Sequence, residues 1–129
     1  MEKLKNLTLY QWIDFKNFTD DLFYVVSNEK FYKILEIERI DKPITTLFYS
    51  IIYISEDGSD DWTSYRRKFE DIINDELDLG FTMYTSVDDW GDVRVEFIVT
   101  GNKEEALKKL KEAVKKLKEF VDSRVRIYK

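Results

Sequence analysis

The sequence contains neither cysteine nor histidine. Without cysteine the chain forms no disulfide bond and offers no thiolate nucleophile, and without histidine it has no imidazole base. Zinc fingers and serine–histidine–aspartate triads are excluded for the same reason. A catalytic site would have to use carboxylates, supported by lysine, arginine, serine, threonine or tyrosine. Metal-assisted phosphoryl transfer and hydrolysis by paired carboxylates are therefore the chemistries left open.

Proline and glycine are also scarce, with one and four residues in a chain of 129. Hydrophobic residues make up 43% and charged residues 36%, which is the composition of a globular protein with a substantial core. The length suits a single domain, residues 1–129. The sequence shows no signal-peptide pattern and no run of about 18 apolar residues. We therefore expect a cytoplasmic protein with no membrane partner.

The net charge of −5 is unevenly distributed along the chain. Residues 103–129 contain 10 Lys or Arg and 5 Asp or Glu, a balance of +5, whereas residues 1–102 contain 11 and 21, a balance of −10. An acidic body disfavours nucleic acids, because that affinity comes mainly from basic side chains that displace counterions. In the basic segment, glutamates precede lysines at i,i+4 spacing, which is typical of a solvated helix face. We expect no nucleic-acid partner.

The N-terminal part of the chain predicts one helix and then three strands. Thr8 and Gln11 form a capping-box pattern, so a helix should begin at residue 9, and the polar run 19–21 should end it at residue 18. Alternation then predicts strands over residues 22–27 and 31–40. Residues 44–55 are apolar on both faces, which is typical of a central strand buried on both sides.

The second half of the chain predicts a helix, a hairpin and a last helix. The first of these helices should begin in the acidic stretch 56–61 and end near Gly80. Alternating apolar residues predict hairpin strands over 81–87 and 93–99. Asn102, with Glu105 three residues later, should cap a helix that runs to about residue 122. Residues 125–128 are interpreted either as a short strand or as an ordered tail.

The predicted order, α-β-β-β-α-β-β-α with an optional last β, indicates an α+β two-layer sandwich with a largely antiparallel sheet. Over residues 9–122 this order resembles that of the secretion-chaperone-like fold, which is shared by the small acidic type III secretion chaperones and the YbjN-type domains. The resemblance lies in element order only and implies no functional residues. The alternative interpretation is a ferredoxin-like βαββαβ unit over residues 44–128 with an N-terminal α-β-β extension.

Acidic residues are concentrated in two segments, 56–61 and 88–92. If the second helix crosses between the strands 44–55 and 81–87, those strands run parallel and their carboxyl ends lie at one edge of the sheet. The two segments would then form one acidic rim, consisting of Glu56, Asp57, Asp60, Asp61, Asp88, Asp89, Trp90 and Asp92. Three interpretations of the rim remain open: solvated turns, a docking site for a cationic partner, or a Mg²⁺ or Ca²⁺ site without EF-hand spacing.

The strand over residues 44–55 places Tyr49 and Tyr53 on one face and Phe48 and Ile52 on the other. If the helices cover a single face, the other needs a lid, either the first helix or a second subunit. We expect a homodimer that buries this second apolar face.

Together these features favour a non-catalytic protein-binding or chaperone-like protein that uses no cofactor. It would act through an apolar sheet face and the acidic rim, as a homodimer and with an unidentified protein partner. The first alternative is a Mg²⁺- or Ca²⁺-dependent enzyme at the acidic rim. The second is an accessory protein of a virus or mobile element whose acidic surface occupies a basic partner.

Overall fold

A computed structural model describes residues 7–38, 42–51, 62–87 and 92–128. Within these ranges the chain forms three α-helices: α1 (Leu9–Ser27), α2 (Trp62–Asp71) and α3 (Lys103–Tyr128). A π-helical turn, Ile72–Glu76, continues α2. The same ranges contain four strands: β1 (Lys33–Glu38), β2 (Pro43–Ile51), β3 (Thr82–Val87) and β4 (Val93–Thr100). The predicted α+β class is confirmed.

The four strands form one sheet in the order β1-β2-β4-β3, and every neighbouring pair is antiparallel. Because β2 and β3 are both antiparallel to β4, they run parallel to each other with β4 between them. Their last residues, Ile51 and Val87, both lie opposite Val93. The carboxyl ends of β2 and β3 therefore lie at the same end of the sheet, as the sequence predicted.

One face of the sheet carries the core. Alternate residues of the central strands are buried there, namely Leu47 and Tyr49 of β2 and Val93, Val95, Phe97 and Val99 of β4. The helices contribute apolar side chains to the same core, in which the rings of Phe15 and Phe69 meet edge to face with centroids 4.7 Å apart. Helices and sheet thus form two layers around a single core.

Helix α1 is longer than predicted, and the strand predicted over residues 22–27 is wrong. Phe15, Phe18, Leu22 and Val25 are all buried and follow one another at steps of three and four residues, which is the helical period. The hydroxyl of Thr19 in the polar run donates to the carbonyl oxygen of Lys16 at 3.0 Å, a bond that a helix accommodates. A helical stripe therefore continues through a segment whose short-range pattern resembles a strand.

The strand considered for residues 125–128 is wrong for the same reason, since α3 continues to Tyr128. Leu110, Val114, Leu117, Val121 and Val125 are buried at steps of three and four residues, so the apolar stripe does not end at residue 122.

These two corrections change the predicted topology. The described elements follow the order α-β-β-α-β-β-α, one strand fewer than the order that resembles the secretion-chaperone-like fold. The ferredoxin-like alternative requires a strand where α3 continues instead. The coarser prediction of two layers with an antiparallel sheet remains correct. Across the described ranges, no helix has both the length and the apolar character needed to cross a lipid bilayer.

Four charged side chains link α1 to α3. Lys16 Nζ lies 2.7 Å from Asp20 Oδ2, and Lys118 Nζ lies 2.7 Å from Asp122 Oδ2. Across the helix pair, Lys118 is 3.3 Å from Asp20 and Lys16 is 3.6 Å from Asp122. The hydrogen bond to Asp122 is the main reason that the pKa of Lys118 lies above its ordinary value of 10.5. Because all four side chains are partly exposed, each pair is worth about 1 kcal/mol at most.

Two substitutions in α1 distinguish the helix from the predicted strand. In a strand, residues 22 and 24 would share a face, whereas in the helix Leu22 is fully buried and Tyr24 is 59% exposed. Leu22→Ala should lower the free energy of unfolding by about 2–5 kcal/mol, because it leaves a cavity in the core. Tyr24→Ala should change it by less than about 0.5 kcal/mol. Urea denaturation measures both, and equal losses would contradict the helix.

Lys118→Met tests the charged link between α1 and α3. Because the folded-state pKa of Lys118 is raised, its stabilising effect is present below the ordinary lysine pKa and is lost as the pH rises through the raised value. At neutral pH the substitution should lower the free energy of unfolding by up to about 1 kcal/mol. The deficit should disappear in strongly alkaline solution. Urea denaturation at the two pH values, with exposed Lys115→Met as the control, measures this; a deficit independent of pH would argue against it.

Candidate functional site

The described residues of β2 that were predicted to form an interface, Phe48 and Tyr49, point to opposite faces of the sheet. Tyr49 faces the helices and is 1% exposed, so it belongs to the core of its own chain. Burial, followed by the nearby charge of Asp21, raises the pKa of Tyr49 well above its ordinary value, and the phenol stays protonated. Phe48 points to the opposite side of the sheet and is half-buried. Ile52 and Tyr53 lie outside the described residues.

The side of the sheet away from the helices is here called the outer face. Residues directly opposite each other in neighbouring strands share a face, so the register arranges its side chains in rows. Listed from β1 towards β3, the four rows are Ile37, Ile44 and Thr100; then Leu35, Thr46, Ile98 and Thr82; then Lys33, Phe48, Glu96 and Tyr84; then Ser50, Arg94 and Ser86.

Large apolar side chains of the outer face remain in contact with solvent. Leu35, Ile37 and Tyr84 are 40%, 42% and 50% exposed, and Phe48 and Ile98 are half-buried. The three described helices pack on the other face, and α1, one of the two predicted lids, lies against α3. The outer face is therefore a sheet surface of mixed polarity, with exposed apolar side chains that no described helix covers.

An open cleft of about 360 Å³ lies on the outer face around Phe48. The ring of Tyr32 is 6.2 Å from that of Phe48, and Lys33 Nζ lies 5.7 Å from the centroid of the same ring. The cleft is also lined by Tyr84, Arg94 and Glu96. Aromatic residues and arginine are enriched in protein–protein interfaces, whereas lysine and glutamate are depleted there, so the rings and Arg94 are the features of this cleft that resemble an interface.

The free edge of β3 is closed by polar side chains of α2 and its π-helical turn. Asn74 donates through Nδ2 to the carbonyl oxygen of Met83 at 2.7 Å and accepts from its N–H through Oδ1 at 2.8 Å. Glu70 accepts a hydrogen bond from the N–H of Thr85 at 2.7 Å, and Arg66 donates one to the carbonyl oxygen of Thr85 at 2.9 Å. These are the bonds that a neighbouring strand would make, so β3 cannot pair with another chain while they persist.

The hydroxyl of Thr85 belongs to the same closure. It donates to Glu70 Oε2 at 2.7 Å and accepts from Arg66 Nη1 at 2.9 Å. A hydroxyl beside a carboxylate is also the beginning of a nucleophilic site. Here Glu70 Oε2 already accepts a second hydrogen bond, from the N–H of Thr85, and the Thr85 hydroxyl oxygen accepts one from the Arg66 guanidinium. The three side chains therefore close the edge of β3, and the hydroxyl is not activated as a nucleophile. Burial is the main reason that the pKa of Arg66 is lowered.

The residues that close β3 were not predicted from the sequence as part of a site. Arg66, Glu70 and Asn74 are four residues apart and so lie on one side of a helix, which is a detectable pattern. The pattern alone does not say that a strand edge lies beside it.

The acidic rim stays a prediction, because seven of its eight residues lie outside the described ranges. The eighth, Asp92, is half-buried and has interaction partners. The common edge at which β2 and β3 end is the place where the rim was expected. Among the residues described, no group of three or more acidic side chains is arranged to hold a metal ion.

Comparison with protein-family models, with curated protein sequences and with solved structures finds no match to this chain. Its function therefore has to be inferred from its own surfaces.

Asn74→Ala tests the closure of β3. The substitution removes both bonds to the backbone of Met83, and the free energy of unfolding should fall by about 1–3 kcal/mol. The amide proton of Met83 should also exchange faster with solvent. The neighbouring exposed residue provides the control, since Asp75→Ala should leave both quantities nearly unchanged. Unaltered exchange at Met83 in the Asn74 variant would show that the bonds do not protect the edge.

Proposed function

We propose that this chain is a non-catalytic protein-binding protein whose outer face packs against a second copy of itself. The observation that carries the proposal is the alignment of Leu35, Ile37, Phe48, Ile98 and Tyr84 on one side of the sheet, where each is exposed or half-buried and no described helix covers them. Large apolar side chains that are exposed together on one face are characteristic of protein interaction sites.

The size of the outer face fits a small dimer interface. Four strands about 4.8 Å apart, with six to nine residues at about 3.3 Å each, span roughly 19 by 24 Å, or about 450 Å² per copy. Two copies would then bury about 900 Å² in total, which is the size of a weak, transient interface. Two sheets packed in this way lie about 10 Å apart and interlock their side chains.

The charges of the outer face support pairing with an identical face. Lys33 and Arg94 are cationic, and the acidic Glu96 lies in the same row as Lys33 and in the row next to that of Arg94. A two-fold axis brings the same patch of both copies together. Glu96 of one copy could then meet Lys33 or Arg94 of the other, while the rows containing Leu35, Ile37 and Ile98 bury apolar area against apolar area.

The acidic rim is proposed to attract a second, cationic partner protein. It would border the outer face at the edge where β2 and β3 end, and its carboxylates would attract a cationic partner protein to a surface that is already apolar. The strand register supports this position for the rim.

Tyr84→Lys tests the outer-face dimer. Tyr84 lies beside Glu96 in the sheet, so lysine is tolerated in the monomer, but a dimer would have to bury its charge. The dissociation constant of the dimer should rise by at least about tenfold, which corresponds to about 1.4 kcal/mol. Sedimentation equilibrium over a concentration series measures this constant.

Tyr24→Lys is the matched control, because Tyr24 is similarly exposed and lies on α1, away from the outer face. It adds the same charge and should leave the dissociation constant unchanged. A wild-type chain that remains monomeric at the highest concentration, or equal effects of the two substitutions, would overturn the proposed dimer.

A further inference from the structure

β1 lies at an edge of the sheet, and its backbone polar groups alternate between β2 and the open side. The N–H of Gly101 donates to Pro43 O at 2.9 Å, so odd-numbered residues of β2 bond to β4. Phe48 O accepts from the N–H of Tyr32 at 3.0 Å, so even-numbered residues of β2 bond towards β1. These pair with odd-numbered residues of β1. The residues of β1 whose N–H and C=O groups point out of the sheet are therefore Ile34, Glu36 and Glu38.

The two edge strands, β1 and β3, differ in whether their outward backbone groups are hydrogen-bonded. At β3, side chains of α2 and its π-helical turn occupy the outward backbone groups of Met83 and Thr85. At β1, no described residue makes a hydrogen bond to the outward backbone groups. Unpaired strand edges recruit other strands, because each new strand satisfies the free donors and acceptors. Within the described part of the chain, the sheet can be extended at β1 and not at β3.

The side chains of β1 determine which strand would fit. Leu35 and Ile37, 40% and 42% exposed, belong to the outer face. Glu36 and Glu38 point to the helix side of the sheet and are also exposed. Within the described ranges these two carboxylates accept one hydrogen bond, a long one of 3.4 Å from the N–H of Lys103 to Glu36 Oε2. A strand added beside residues 35–38 of β1 would meet two carboxylates on one of its faces and two aliphatic side chains on the other.

We propose that β1 binds an extended segment of another protein as an additional antiparallel strand, and that this segment alternates basic with apolar residues. The main-chain bonds supply affinity, and the alternation supplies specificity. Basic side chains would face Glu36 and Glu38, and apolar side chains would extend the outer face beyond Leu35 and Ile37. The inference concerns the edge of the sheet, so it stands whether or not a second copy covers the outer face.

The same charges argue against a second copy as the occupant of this edge. If both Glu36 and Glu38 were paired with residues of another β1, Glu36 would lie opposite Glu36 or Glu38 of that strand. Like charges directly opposite each other destabilise a pair of strands. A basic segment would instead place opposite charges next to Glu36 and Glu38, and their attraction would stabilise the pair of strands.

Synthetic peptides test the proposal. The first probe has about eight residues, enough to span β1, and alternates lysine with valine; the second replaces every lysine by glutamate. Fluorescence anisotropy of labelled peptides should show at least about tenfold tighter binding of the basic probe. The amide protons of residues 34, 36 and 38 should become protected from exchange when the basic probe binds.

Backbone methylation of the basic probe separates strand pairing from simple charge attraction. In an antiparallel strand, the lysines opposite Glu36 and Glu38 direct their N–H groups at β1, whereas the valines direct theirs away. N-methylation of the lysines should weaken binding by at least about tenfold, while N-methylation of the valines should have little effect. Equal binding of the two methylated peptides would overturn the proposal, as would equal binding of the basic and acidic probes.

Two protein variants complete the test. Glu36→Pro removes one outward N–H from an edge strand, where proline is tolerated, and should weaken binding of the basic probe. Glu36→Gln combined with Glu38→Lys keeps an acceptor for Lys103 and should make the chain prefer the acidic probe. Thermal melting checks that both variants fold, and the second remains informative if the first does not.

Tyr84→Lys separates this proposal from the proposed dimer. If both proposals hold, it weakens the dimer and leaves peptide binding unchanged. A monomeric wild type that still binds the basic probe would contradict the dimer alone. Self-association of the wild type that Glu36→Pro abolishes and the basic probe competes away would assign β1 to a second copy and overturn the present inference.

Discussion

The arrangement of this chain depends on the alternation of side chains along β2 and β4. Every second residue of these central strands points to the helices, and Leu47, Tyr49 and Phe97 bury their side chains there. The residues between them point to the other side of the sheet, where the described chain provides no second layer. The apolar side chains on that side, among them Phe48 and Ile98, therefore remain available for contact with another molecule.

Backbone hydrogen bonding imposes a second constraint, because every strand at the end of a sheet has donors and acceptors on one side without a partner strand. The chain satisfies this requirement at β3 with three polar side chains spaced four residues apart, beginning at Arg66. At β1 the outward backbone groups have no hydrogen-bond partner among the described residues, and Glu36 and Glu38 lie beside them. Closing one edge and leaving the other acidic gives the sheet a direction in which it can be extended, and it selects against a like-charged strand.

Local patterns predicted much of the fold. The capping box of Thr8 and Gln11 is present, with its two hydrogen bonds at 3.1 and 3.2 Å, and Asn102 accepts from the N–H of Glu105 at 2.9 Å. The hairpin of β3 and β4 and the parallel relation of β2 and β3 were also predicted correctly. Residues 22–27 were predicted wrongly, because a window of six residues contains too few turns to separate a period of 2 from one of 3.6. The apolar stripe from Phe15 to Val25 resolves the period only over a longer stretch.

The sequence by itself determined which residues could be buried: the stripe of α3, the alternation in β4 and the two apolar faces of β2 are properties of spacing and side-chain type. The tertiary structure alone decided which face of β2 the helices cover and which edge of the sheet α2 closes. Those outcomes depend on contacts between residues far apart in the chain, such as Asn74 with Met83, and no local period encodes the partner of such a contact.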